Sequence, residues 1–154
     1  MKNGNRKRRG NAAIEFAIAS TVLLPSMFGA FQFGYGLYTY NLLCSAVSSG
    51  ARYAAYRTYR SADGASVEDG KQAIRNLVAY GTVAPTDSTL PVVPRLTTSA
   101  VSVNYALTRE GVPYKVTVAI NSFRIETLVK TFDLTGKPQV TYPYMGRYAP
   151  EESE

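Results

Sequence analysis

Between Phe16 and Ala51 the chain carries no Asp, Glu, Lys or Arg. The most apolar part, Phe16 to Leu43, includes Val22, Leu23, Leu24, Met27, Phe28, Phe31 and Phe33. A bilayer core needs about 20 mostly apolar helical residues, so a membrane-spanning helix fits with room to spare. The plainer alternative is a buried helix of a soluble domain, but such helices seldom run so long without a polar face. A cleaved secretory signal would have an apolar region of only about 7–15 residues and then a small-residue cleavage site. Here the run is longer and passes into more helix-like sequence. A retained membrane helix is the better reading.

Charge placement orients it. Lys2, Arg6, Lys7, Arg8 and Arg9 precede the span, whereas Arg52, Arg57 and Arg60 stand further out on the other side. Basic flanks stay in the cytoplasm, which puts the N-terminus inside and the rest of the chain outside. The net charge of +6 comes largely from those five leader residues. A nucleic-acid-binding face would spread basic and aromatic residues over a folded surface, so no nucleic acid is expected. Tyr35, Tyr38 and Tyr40 cluster at the outer end, where amphipathic rings favour the interface; helix packing would explain them equally well.

Composition removes most enzymes. The 154 residues contain no His and one Cys, Cys44. Ser-His-Asp and Cys-His catalysis, a Cys/His zinc site and an intrachain disulfide are all excluded. There is no phosphate-binding loop, no GxGxxG and no GxSxG. Asp63, Glu68 and Asp69 could crowd around a cation, but helix capping and the macrodipole account for them more simply, and an EF-hand pattern is lacking. No metal, cofactor or catalytic residue is expected.

Three features inside the span carry information. Pro25 removes a backbone donor and is expected to kink the helix. Ala30 and Gly34 form a small-xxx-small pair that lets another helix approach closely. Glu15 is a carboxylate at the edge of hydrocarbon, costly unless it finds a partner; alternatively it sits at headgroup level beside Arg6–Arg9.

The segment RKRRG-NAAIEF, residues 6–16, resembles a prepilin processing site: a basic leader ending in Gly, then Glu as fifth mature residue before an apolar helix. The stretch NAAIEFAIASTVLLPSMFGAFQFGYGLY, followed by GARYAAY and AIRNLVAYG, is similar to the TadE-like family, minor pseudopilins of tight-adherence (Flp) pilus systems. The similarity is most specific over residues 6–60. It implies cleavage between Gly10 and Asn11 by a membrane-embedded aspartic prepilin peptidase, with Glu15 pairing in assembly. It further implies a bacterial inner-membrane location with the C-terminal part periplasmic. Other pilin or pseudopilin subunits and the pilus assembly platform would be partners, alongside the lipid bilayer. Major Flp pilins end soon after the helix; this chain continues well beyond it, as a minor subunit would.

Residues 1–10 are thus read as leader, 11–60 as transmembrane and juxtamembrane helix, and 61–154 as an outer α+β domain with a short helix on an antiparallel sheet. Tyr53, Tyr56 and Tyr59 recur every three residues, with Ala46, Gly50, Ala51, Ala54 and Ala55 between them. That stripe reads as a packing face, or more sharply as an exposed adhesive face, on a helix ending near Arg60–Gly64. A second helix is expected over 66–80, capped by Ser66 and stopped by Gly81. Pro85, Pro91 and Pro94 mark a surface loop. Strands follow at 101–106 and 114–120, turning at Arg109-Glu110-Gly111. Phe123, Ile125 and Leu128 to Leu134 suggest a third strand or an edge excursion, Gln139–Tyr144 a last one, and the tail to Glu154 is acidic. Cys44 is either a buried free thiol or a site of pairing with a second copy. The function expected is a minor pilin-like structural subunit. A solitary inner-membrane-anchored binding or adhesin domain is the alternative.

Overall fold

The computed structural model describes residues 4–60, 64–127 and 131–149. Asp63, Leu128 and the acidic tail beyond Ala149 lie outside the described residues. The architecture is α+β: a long N-terminal helix, then a small domain of one short helix, antiparallel sheets and one two-residue parallel pair.

Helix α1 runs from Gly4 to Tyr56 and contains Pro25. From Asn11 to Tyr38 almost every residue is exposed, and burial begins at Thr39. Beyond that point Leu43, Ala46, Val47, Ala51, Ala54 and Ala55 are buried. One helix therefore has two environments. Its outer third is the central strut of the domain core, and the small side chains there allow strands and a second helix to pack close to its axis.

That second helix, α2, spans Gly64–Tyr80. It begins two residues before Ser66, which therefore sits in the first turn and not at the cap expected for it. Its end is as expected: Gly81 takes φ +73°, and its N–H donates to the Leu77 carbonyl at 2.9 Å. Only a residue tolerant of left-handed backbone closes a helix this way. Ile74 and Val78 of α2 are buried against Gly50 of α1, where an added Cβ would collide with the Val78 side chain. Nothing bulkier than glycine fits this crossing as it stands. The proline-rich loop that follows sends Val93 and Leu96 into the core, and a short 3-10 turn, Thr98–Ala100, leads into the sheet.

The main sheet has three antiparallel strands in the order β2 (Val101–Leu107), β3 (Pro113–Ile120), β6 (Gln139–Pro143). Val103 faces Val118, and Val118 faces Val140. The alternation of apolar and polar residues thus turns one face to α1, as strand periodicity requires. The β2–β3 turn forms at Arg109–Gly111, with Gly111 at φ +77°. Between β3 and β6 the chain makes a separate hairpin, β4 (Ser122–Glu126) with β5 (Thr131–Thr135). The sequence pattern alone suggests a third strand or an edge excursion there. The two apolar pairs, Phe123/Ile125 and Phe132/Leu134, belong to two strands that fold back on each other.

The end of α1 also differs from expectation. The helix stops at Tyr56, short of Arg60–Gly64, and Tyr59 lies in a two-residue strand, β1 (Tyr59–Arg60), parallel to β7 (Tyr148–Ala149). Tyr53 and Tyr56 are 38% and 64% exposed, so the packing face is the alanine stripe and not the tyrosine stripe. What ends the helix is tertiary. The Met145 N–H donates to the Ala55 carbonyl at 2.9 Å, the Tyr144 hydroxyl to the Arg57 carbonyl at 2.6 Å, and the Tyr105 hydroxyl to the Ala54 carbonyl at 3.4 Å. Carbonyls that a helix terminus leaves unmatched are met by residues distant in sequence.

Two outcomes follow from this packing. Gly50→Ala should destabilise the outer domain by about 1–3 kcal/mol, as overpacked cores do. Adding Val78→Ala should cost less than the sum of the two single changes, which thermal unfolding in detergent will measure. Burial pushes the Tyr105 hydroxyl up to about 12 from its ordinary 10. Its folded value lies above its unfolded one, so the neutral phenol's contribution is whole below pH 10 and is lost as pH rises toward 12. Tyr105→Phe should therefore move alkaline unfolding, followed by circular dichroism, to higher pH.

Candidate functional site

The exposed part of α1 is the most unusual surface of the molecule. Ile14, Phe16, Ile18, Val22, Leu23, Phe28, Phe31 and Phe33 all stand exposed along it. At 1.5 Å rise per residue, Phe16 to Leu37 covers about 33 Å, close to the thickness of a hydrocarbon core of about 30 Å. The helix is long and apolar enough to cross a membrane, and none of the window that qualifies it is buried by the domain. A water-soluble chain would not leave so much apolar area uncovered.

Glu15 sits exposed at the lower end of this stretch, one helical turn after Asn11. Gly10 and Asn11 are themselves within α1, so the expected cleavage site is helical. The helix passes through Pro25 without interruption. Proline offers no N–H to the carbonyl one turn earlier. Nearby, the Thr21 and Ser26 hydroxyls donate to the carbonyls of Ala17 and Val22, each at 2.8 Å. Back-bonding of this kind lets hydroxyl side chains sit in an apolar helix with their polar atoms satisfied.

Ala30 and Gly34 form the floor of an open apolar groove of about 510 Å³, walled by Met27, Phe31, Tyr35 and Tyr38. These positions recur at three and four residues, so they share one helix face. A Cβ added at Gly29, Gly34 or Gly36 would meet nothing within 4 Å. The fold itself does not require glycine at these positions.

Higher up, Cys44 is half-buried and free, beside the Tyr40 hydroxyl. Among the described residues no group of three His, Cys, Asp or Glu could hold a metal ion. Glu68 is bonded to Arg75 and Lys71, which hold its carboxyl below the usual range. Sequence reading missed the apolar face of the β4–β5 hairpin, which leans over Phe33–Tyr40. The paired alternation at 123/125 and 132/134 was its only signal.

Residues 10–52 match the family model described as TadE-like protein. Over this segment the chain is similar to TadE-like proteins. The match covers the exposed helix and its entry into the core, and it bears out the family resemblance over that stretch. No curated protein and no solved structure matches the chain. The TadE-like match over residues 10–52 and, among the described residues, one helix long and apolar enough to cross a membrane support a pilus-related membrane protein.

Because a Cβ added at Gly34 would meet no described residue within 4 Å, Gly34→Leu should leave thermal unfolding of the outer domain within about 0.5 kcal/mol. The same change should weaken helix–helix association in a membrane cross-linking assay.

Proposed function

We propose that the chain is a minor pilin-like subunit of a tight-adherence pilus, cut between Gly10 and Asn11 by a prepilin peptidase and assembled through its N-terminal helix. The observation that carries this reading is the TadE-like match on a helix left bare from Asn11 to Tyr38, with an exposed carboxylate at Glu15.

The physical logic begins with the leader. Five basic residues on the cytoplasmic side resist transfer through hydrocarbon. Cutting after Gly10 removes them and creates an ammonium on Asn11. Four residues along the helix, about 6 Å in rise, stands Glu15. In hydrocarbon neither charge is tolerable alone, but an ammonium and a carboxylate from adjacent subunits satisfy each other. Helices would then pack through faces such as the Ala30–Gly34 groove, with pilin or pseudopilin neighbours and the assembly platform as partners. Glycine at position 10 weakens the helix locally by about 1 kcal/mol relative to alanine. That helps a peptidase open a site that is otherwise helical. The outer domain would project on the periplasmic side.

Mass spectrometry of the membrane-extracted protein should find a chain beginning at Asn11. An intact Met1 in cells with an active peptidase would refute the processing step. Glu15→Ala should insert into the membrane at the normal level yet disappear from sheared filaments. Equal presence of both chains in filaments would refute the pairing role of Glu15, and absence of both would leave a solitary anchored domain as the better description.

A further inference from the structure

The β4–β5 hairpin is amphipathic across its width. Phe123 faces Leu134, and Ile125 faces Phe132, across the ladder. Residues two apart share a face, so all four lie on one side. The opposite side carries Arg124 bonded to Asp133 at 2.8 Å and Arg95 bonded to Glu126. The apolar side is turned toward α1. Between them lies a cavity of about 160 Å³ lined by Phe33, Gly36, Leu37 and Tyr40 of the helix and Ile125, Phe132 and Leu134 of the hairpin.

Water is a poor occupant. It needs two to four polar partners, and the lining offers one side-chain polar atom, the Tyr40 hydroxyl. The helix wall of the cavity, Phe33 to Tyr40, overlaps the outer end of the apolar stretch that runs from Phe16 to Leu37. Phe33 and Leu37 are 65% and 49% exposed, and Phe132 is 40% exposed. The cavity is thus continuous with the surface that meets lipid, at the depth where acyl chains approach the headgroups.

We infer that the space between the β4–β5 hairpin and α1 takes up part of a phospholipid acyl chain from the outer leaflet, so that the hairpin rests in the bilayer interface. This rests on the membrane-spanning reading of α1. A two-stranded hairpin alone is marginal in water; apolar contact below it supplies what a third strand would. With its polar side outward and its apolar side on helix and lipid, the hairpin sets how close the outer domain sits to the membrane.

The chain has no tryptophan, so a single inserted one reports its surroundings alone. The full chain carrying Phe132→Trp, Leu37→Trp, Leu24→Trp or Leu90→Trp would be reconstituted in phosphatidylcholine vesicles brominated at defined acyl positions. Leu24 marks the span and Leu90 an exposed loop of the outer domain. The expected result is that Phe132→Trp loses emission to shallow bromines as fully as Leu37→Trp does, while Leu90→Trp loses none. Adding Gly36→Leu, which fills the cavity from the helix side, should restore much of the Phe132→Trp emission without changing Leu24→Trp. If Leu24→Trp is quenched and Phe132→Trp is not, the inference is overturned while the span stands. A Phe132→Trp signal that depends on protein concentration and not on bromine would mean a second copy fills the space, which also overturns it. Failure to quench Leu24→Trp would remove the span and this inference together.

Discussion

Everything in this molecule hangs on one helix serving two solvents. From Phe16 to Phe31 its surface is largely apolar and uncovered by protein, a state that hydrocarbon accommodates far better than water. From Thr39 its inner face is buried, and the domain is built around it. The change is made by side-chain size as much as by hydropathy. Large aromatic and branched residues coat the lipid-facing part, while Ala46, Gly50, Ala51, Ala54 and Ala55 shrink the outer part so that α2 and the β2–β3–β6 sheet can close on it.

This arrangement makes the anchor and the outer domain a single mechanical object. No flexible linker separates them, because the bare apolar stretch and the strut that fills the core are one continuous helix. A displacement of the helix along its axis must move the whole sheet with it. For a component of an assembling fibre, that rigidity would convert translation of membrane helices into a fixed displacement of the surface outside.

The parts legible in the sequence were those governed by local rules. The charge-free run, the Gly81 stop, the Gly111 turn and the alternation in β2 and β3 each follow from the chemistry of a few neighbouring residues. The misread parts depend on contacts remote in sequence. Arg57 and Thr58 contain no stop signal, so the helix looked longer than it is; Met145 and Tyr144 end it. The tyrosines at 53 and 56 have the spacing of a buried stripe, yet the smaller alanines win the interior because close approach of helix and sheet leaves no room for rings. The hairpin reads as a third strand or an edge excursion because residues 127–130 lack the Gly or Asn that usually advertises a tight turn. At the candidate site, Glu15, Pro25, Ala30 and Gly34 could be singled out by their cost or size alone. The cavity beneath the hairpin could not, since it is formed by segments nearly a hundred positions apart.

The capping of α1 by the far end of the chain carries a temporal implication. Strand β6 completes the sheet, and Tyr144, Met145 and Tyr148 tie down the carbonyls and backbone where the helix ends. None of this can form until residues up to about 149 have emerged on the same side of the membrane as Thr39. Whichever side of a membrane the helix end occupies, those C-terminal residues have to share it. The seal on α1 is therefore a late contact in chain order, since its parts lie some ninety positions beyond the carbonyls they meet.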